Sequence, residues 1–188
     1  MRMIGYVFCA SFCTHKIALE QMKILLSQGY EIQPIMSETV YSTDTRFGRA
    51  KDLVDTVEAL CKRSVIHTIT DAERLGPEIK LDALLVAPCT GNTLAKAARG
   101  ITDTAATMAI KAHLRSDRPT MIALASNDAL SANLQNIALL LERKNIYFVP
   151  MRQDDPIKKP HSLVADFSLI LATFDSMKKK KQIQPIFI

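Results

Sequence analysis

Four small residues in a row, Thr90-Gly91-Asn92-Thr93, stand where an apolar run ends and a helical pattern begins. The run before them, Leu81 to Val86, reads as a buried parallel strand. Pro88 holds Ala87 extended and sharpens the exit from that strand. A helix start leaves backbone N–H groups unpaired, and the helix dipole adds partial positive charge there. Such a turn can hold a phosphate or the polar edge of a cofactor. Asn92 donates and accepts at once, which suits the edge of a heteroaromatic ring. Asn92 and Thr93 can equally serve as plain helix caps.

Three other segments repeat this chemistry at the ends of expected strands: Ala10 to Thr14, Ser37 to Thr39, and Ser126 to Asp128. Ser11 and Thr14 flank the first helix start, where their hydroxyls either hold a monophosphate or cap the helix. Asp128 is a proton acceptor or a cap for a helix at Leu130. The chain has neither G-x-G-x-x-G nor the P-loop pattern, so the dinucleotide and ATP motifs are absent. Arg46, Arg152, Lys158 and Lys159 fall in expected loops, where cations bind carboxylates or stand solvated. His15, His67, His113 and His161 show no triad or metal spacing. Cys9, Cys13, Cys61 and Cys89 form no C-x-x-C pair and match no zinc pattern, so no metal is expected and the thiols read as reduced.

The elements that must position these residues alternate strand and helix. Strands are expected at Met3 to Cys9, Tyr30 to Met36, Val65 to Ile69, Leu81 to Val86, Pro119 to Ala125 and Ile146 to Val149. Helices are expected at Thr14 to Ser27, Arg49 to Lys62, Thr93 to Arg99, Thr104 to Arg115, Leu130 to Lys144 and Leu163 to Lys178, with Gly29 stopping the first. Ser37 to Gly48 and Pro150 to Pro160 read as loops, and the apolar tail Gln184 to Ile188 as packing on the body or on a neighbouring subunit. Strand-helix alternation with short connections argues for a three-layer α/β/α domain with a parallel sheet spanning residues 1–188. Ligands of such sheets bind outside the carboxyl ends of the strands, where this sequence concentrates its small polar residues.

Bulk composition fits that picture. The 188 residues are 48% hydrophobic, enough for a sizeable core. No apolar run approaches the roughly 20 residues of a membrane span. The start, Met1 to Phe8, reads as a first core strand rather than a secretion signal, which implies a cytoplasmic protein. The net charge is +5, but Lys178 to Lys181 carry four of those charges. The body is therefore nearly neutral, without the basic, aromatic-studded stripe of a nucleic-acid binder.

The segment Ala87-Pro88-Cys89-Thr90-Gly91-Asn92-Thr93-Leu94-Ala95-Lys96, followed by Gly100-Ile101-Thr102-Asp103, resembles the signature loop of the flavoprotein superfamily. That group includes phosphopantothenoylcysteine decarboxylases, peptidyl-cysteine decarboxylases and flavin prenyltransferases. The wider pattern is similar to one branch, the smaller (B) polypeptides of dipicolinate synthase. It runs through Ser42 to Gly48, Ala87 to Thr93, Ser126 to Leu130, Lys144 to Ile146, Gln153 to Pro156, Lys158 to Pro160 and the Gln184-Pro185-Ile186 tail.

The resemblance implies a flavodoxin-like sheet, FMN, and a trimer-based homo-oligomer. It also implies a separate A subunit carrying NAD(P), and a cyclic dicarboxylate substrate of the spore dipicolinate pathway. On matching positions, Ser11 and Thr14 would take the phosphate, Ser37 the phosphate or ribityl region, Thr90, Asn92 and Thr93 the flavin, and Ser126 and Asn127 its opposite side. Arg46, Arg152 and Lys158 are the candidate partners of the substrate carboxylates. The chain departs from the pattern at Ala10, where the superfamily usually has Gly; His67 lies too far upstream to match the decarboxylases' histidine, and the Arg that prenyltransferases place near Ser126 is absent. A stand-alone decarboxylase or prenyltransferase, and a partner subunit that has lost its flavin, are the alternatives.

Overall fold

The computed structural model describes residues 2–188. In chain order the elements are β1 (Met3–Phe8), α1 (His15–Ser27), β2 (Glu31–Met36), α2 (Glu38–Ser42), α3 (Ala50–Cys61) and α4 (Ile69–Glu73). Then follow β3 (Ala83–Cys89), α5 (Gly91–Arg99), α6 (Ala105–Leu114), β4 (Thr120–Ser126) and α7 (Leu134–Leu141). The chain closes with β5 (Ile146–Phe148), β6 (Met151–Arg152), β7 (Leu163–Ala165) and α8 (Ile170–Lys178). The seven strands form one mixed sheet flanked by helices, a flavodoxin-like α/β fold.

The sheet is parallel from β2 through β1 and β3 to β4, but not throughout. Strand β4 divides its outer edge. Its first half, Thr120 to Ile122, pairs in parallel with β5, while Ala125 and Ser126 pair antiparallel with β7, which in turn carries β6. The expected parallel sheet thus carries an antiparallel edge, and that edge corrects the start of the helix expected from Leu163. Leu163 and Ala165 are buried with half-buried Val164 between them, a strand alternation. Helical structure begins only after Asp166, whose carboxylate accepts from Ser168 N–H at 3.0 Å.

Side-chain caps move the other boundaries. Ser37 starts α2 inside the expected loop by accepting from Val40 N–H at 3.4 Å. Thr68 accepts from Asp71 N–H at 3.1 Å, so Ile69 opens a helix, and the expected strand at Val65 shrinks to one bridge between Ile66 and Ile35. After β4 the Asp128 carbonyl accepts from Ser131 and Asn133 N–H, both at 3.1 Å, which delays α7 to Leu134. The tail runs beside β6 on its own chain, with Met151 N–H donating to Ile186 at 2.9 Å.

Alternating side chains serve two cores. Val7, Leu84, Val86, Ile122 and Leu124 face α4 to α7, while Tyr6, Phe8, Leu85, Met121 and Ala123 face α1, α3 and α8. Helix α1 thus covers one face and α5 the other. The carboxyl ends of neighbouring β1 and β3 open between them, which is the switch point where such sheets bind ligands. Tyr6 is fully buried and donates its phenol to the Ala18 carbonyl at 2.7 Å, tying α1 to the sheet. Tyr6→Phe should cost about 1 kcal/mol, a fall of about 2–4 °C in a thermal melt.

Candidate functional site

A cleft of about 630 Å³ lies at the carboxyl ends of β1, β3 and β4. The turn after β1 brings Ser11 and Thr14 to it, the β3–α5 junction brings Thr90, Gly91 and Asn92, and the turn after β4 brings Ser126, Asn127 and Asp128. Arg46 reaches it from the turn before α3. Pro88 O accepts from Cys9 N–H at 3.2 Å, which joins the first two tips.

The choice between cap and ligand group, open in the sequence, is resolved hydroxyl by hydroxyl. Thr90 caps α5, accepting from Thr93 N–H at 3.2 Å and donating to Thr93 Oγ1 at 3.0 Å. Neither Ser11 nor Thr14 makes a side-chain cap. Thr14 donates its hydroxyl to the Ser11 carbonyl at 2.8 Å, and Ser11 Oγ has only a long contact of 4.0 Å to Cys13 Sγ. The N–H groups of Phe12 and Cys13 find no acceptor among the described residues. A free hydroxyl and two free amides thus meet in the single 3-10 turn, Phe12–Thr14, that leads into α1, a donor set suited to an anion. Asn92 and Asn127 are exposed on the cleft wall, and their amides bond to no other side chain or backbone group among the described residues.

Behind this wall lies a polar network that sequence reasoning missed. Ser126 donates to the Asp128 carboxylate, and Asn133 Nδ2 donates to both of its oxygens at 2.9 Å. Asn136 then donates to Asn133 Oδ1 at 2.9 Å. The Ser126 hydroxyl, and after it the Asn133 amide, hold the Asp128 carboxyl below its ordinary range. The network stands against Gly91: a Cβ there would come within 2.4 Å of Ser126 Oγ, 2.6 Å of Asn133 Nδ2 and 2.7 Å of Asp128 Oδ1. The Thr-Gly-Asn spelling marked a turn, but the reason for glycine is this close approach.

Four expected residues stand elsewhere. Ser37 is buried as the cap of α2, and Thr93 is buried beneath Thr90, so neither lines the cleft. Arg152 pairs with Asp166 at the antiparallel edge. Lys158 is exposed outside the cleft, whereas its neighbour Lys159 lines the cleft and pairs with Asp154.

The buried thiols do not make nucleophiles: burial pushes Cys9 up to about 11 and Cys89 higher than usual. All four cysteines are free. His15 donates Nε2–H to the Cys9 carbonyl at 2.8 Å and packs between Phe8 and Phe12, bracing the first tip. His67 stacks on Tyr41 with centroids 3.6 Å apart and does not line the cleft. Among the described residues, no cluster of three His, Cys, Asp or Glu could hold a metal ion, and no helix is long and apolar enough to cross a membrane.

The sequence model of the family described as Flavoprotein matches residues 65–176. The B subunit of dipicolinate synthase from Bacillus subtilis (strain 168) is 40% identical over 185 residues, covering 98% of this chain and 92% of that protein. The crystal structure of the B subunit of dipicolinate synthase from Bacillus halodurans superposes with a TM-score of 0.91 at 35% identity, covering 100% of this chain and 96% of that one. An FMN-dependent cysteine decarboxylase shares the fold, with a TM-score of 0.67 at 23% identity over 96% of this chain and 97% of its own.

Proposed function

The chain belongs to the Flavoprotein family, in the branch of the dipicolinate synthase B subunits, and from that membership we propose that it is the small subunit of a flavin-assisted dipicolinate synthase. The observation that carries the flavin reading is the uncommitted donor set at the start of α1, Ser11 Oγ with the N–H groups of Phe12 and Cys13, which shares one cleft with the free amides of Asn92 and Asn127. In this reading the α1 donors take the phosphate of FMN. Asn92 and Asn127 bond the polar edge of its ring, and Thr90 and Ser126 fix the two walls. Thr14 holds the Ser11 carbonyl, while Ser37 and Thr93 act one layer back through their caps. A bound flavin would supply a two-electron acceptor for turning a dihydro ring dicarboxylate into an aromatic one.

The partner in this reading is an A subunit carrying NAD(P), which takes the electrons onward. The assembly is cytoplasmic, acts during sporulation and is built on trimers of this chain. Arg46, on the cleft wall and without a carboxylate partner among the described residues, is the cation placed to meet the substrate.

Titration with FMN, followed by flavin absorbance and fluorescence, tests the proposal. Wild-type chain should turn yellow and bind one FMN per protomer. Ser11→Asp should weaken binding more than about tenfold, since a charge-assisted hydrogen bond becomes a repulsion. A colourless chain that still supports full synthase activity with its A subunit, after exhaustive flavin removal, would overturn the flavin reading in favour of a scaffold role.

A further inference from the structure

A second cavity, of about 410 Å³, opens beside the cleft between the first turns of α1, helix α2, the turn before α3 and the start of α3. Phe12, Cys13 and Phe47 line both spaces, so the two are adjoining chambers with aromatic rings at their boundary. The second chamber is apolar through Leu19, Val40 and Leu53, and no Asp or Glu among the described residues lines it.

Its basic side chains separate into committed and free. Arg49 binds both oxygens of Asp52, at 2.9 and 2.8 Å, and His15 is spent on the Cys9 carbonyl. Lys16, also on the wall, makes no ion pair or side-chain hydrogen bond among the described residues. On the cleft side of the boundary, Arg46 is likewise unpaired with any described carboxylate, and its guanidinium lies 4.9 Å over the Phe47 ring. Phe47 is 54% exposed, yet its turn is tightly built. Thr45 and Gly48 exchange backbone bonds of 3.0 and 3.1 Å, Phe47 N–H donates to Thr45 Oγ1 at 3.1 Å, and Asp44 accepts from Ala50 N–H at 2.9 Å. A tightly built turn therefore presents a half-exposed aromatic ring with the Arg46 guanidinium over it, on the wall of a chamber that Lys16 also lines.

We propose that this chamber binds a planar ring bearing two carboxylates, with Phe47 as the platform under the ring and Lys16 and Arg46 as the two countercharges. The proposal rests on the synthase reading for the identity of the ring, and it assigns the substrate a wall distinct from the phosphate end of the cleft. Lys16 takes the place expected for Arg152 and Lys158, which line neither chamber.

Calorimetric titration of the purified chain with isophthalate, pyridine-2,6-dicarboxylate and FMN tests it. Isophthalate is already aromatic, so its binding reads the chamber without the reaction. Wild type should bind both dicarboxylates. Lys16→Met, a surface change that leaves the fold intact, should raise their Kd by about tenfold or more, the size of one lost charge contact, while FMN affinity stays within about twofold. Phe47→Ala should weaken both rings as well. Wild-type affinity for the rings in Lys16→Met, or no ring binding by wild type, overturns the proposal. Isophthalate binding that is sensitive to Lys16, in a chain that forms no dipicolinate with its A subunit, upholds the chamber and sinks the synthase reading. Turnover with ring affinity indifferent to Lys16 does the reverse.

Discussion

Gly91→Ala is expected to destabilise the chain, although alanine ordinarily stabilises a helix relative to glycine by up to about 1 kcal/mol. The reversal comes from space alone. The added methyl meets Ser126 Oγ, Asn133 Nδ2 and Asp128 Oδ1 at 2.4 to 2.7 Å. Each is the end of a side chain, and a lone side chain would swing away at small cost. These three are bonded to one another, and Ser126 and Asn133 are 7% and 5% exposed, so none moves without orphaning a buried polar group. Overpacking costs about 1–3 kcal/mol and a buried unpaired group about as much again. A net loss of about 2–4 kcal/mol lowers the melting temperature by roughly 5–15 °C for a chain of this size. Asn92 follows Gly91, and Asn127 lies between two members of the network, so FMN affinity should fall with stability. A melt at or above the wild-type temperature would show that the β3–α5 junction does not press on the β4 turn.

The same junction shows what was legible beforehand. The strand, expected at Leu81 to Val86 and found at Ala83–Cys89, the helix after it and a cleft at the strand ends follow from local pattern: an apolar run, a turn of small polar residues, then helical spacing. Whether a hydroxyl there is a cap or a free donor is not a local property. Ser11, Ser37 and Thr90 are alike in type and position, yet Ser37 and Thr90 turn onto their own helices and Ser11 does not. The need for glycine at 91 was hidden because its neighbours come from the β4 turn, more than thirty residues away. Arg152 read as a free loop cation because its partner, Asp166, reaches it only across the antiparallel pair β6 and β7. That pair was itself missed: two strands of two and three residues leave too little periodicity to compete with the helix that follows.

Between neutral pH and pH 5 the chain should lose stability through His113, at the end of the sheet away from the cleft. His113 closes α6, is 2% exposed and donates Nε2–H to the Pro119 carbonyl at 3.0 Å, just before β4 begins. Burial, aided by the nearby Arg118 charge, lowers its pKa to about 4, against the upward pull of the Pro119 carbonyl and Asp82. An unfolded imidazole titrates near 6.5. Between those values the unfolded chain holds more protons, so stability falls as pH drops, by about 2 kcal/mol from pH 7 to pH 5 and about 3 kcal/mol in full. His15, also lowered by burial, adds to the loss in the same direction. Asp82 and Asp128, held below the ordinary carboxylate range, contribute stability that is lost only at lower pH, as it falls through their own pKa values. Urea unfolding of wild type and His113→Gln at pH 7 and pH 5 isolates the effect, since glutamine can still donate to Pro119 but cannot take a proton. The variant should lose about 2 kcal/mol less than wild type between the two pH values, and equal losses would refute the assignment. Because the imidazole sits at the amino end of β4 and the cleft at the carboxyl end, FMN affinity at pH 7 should not move. Acid sensitivity of the fold and ligand chemistry of the site are then separable in one variant.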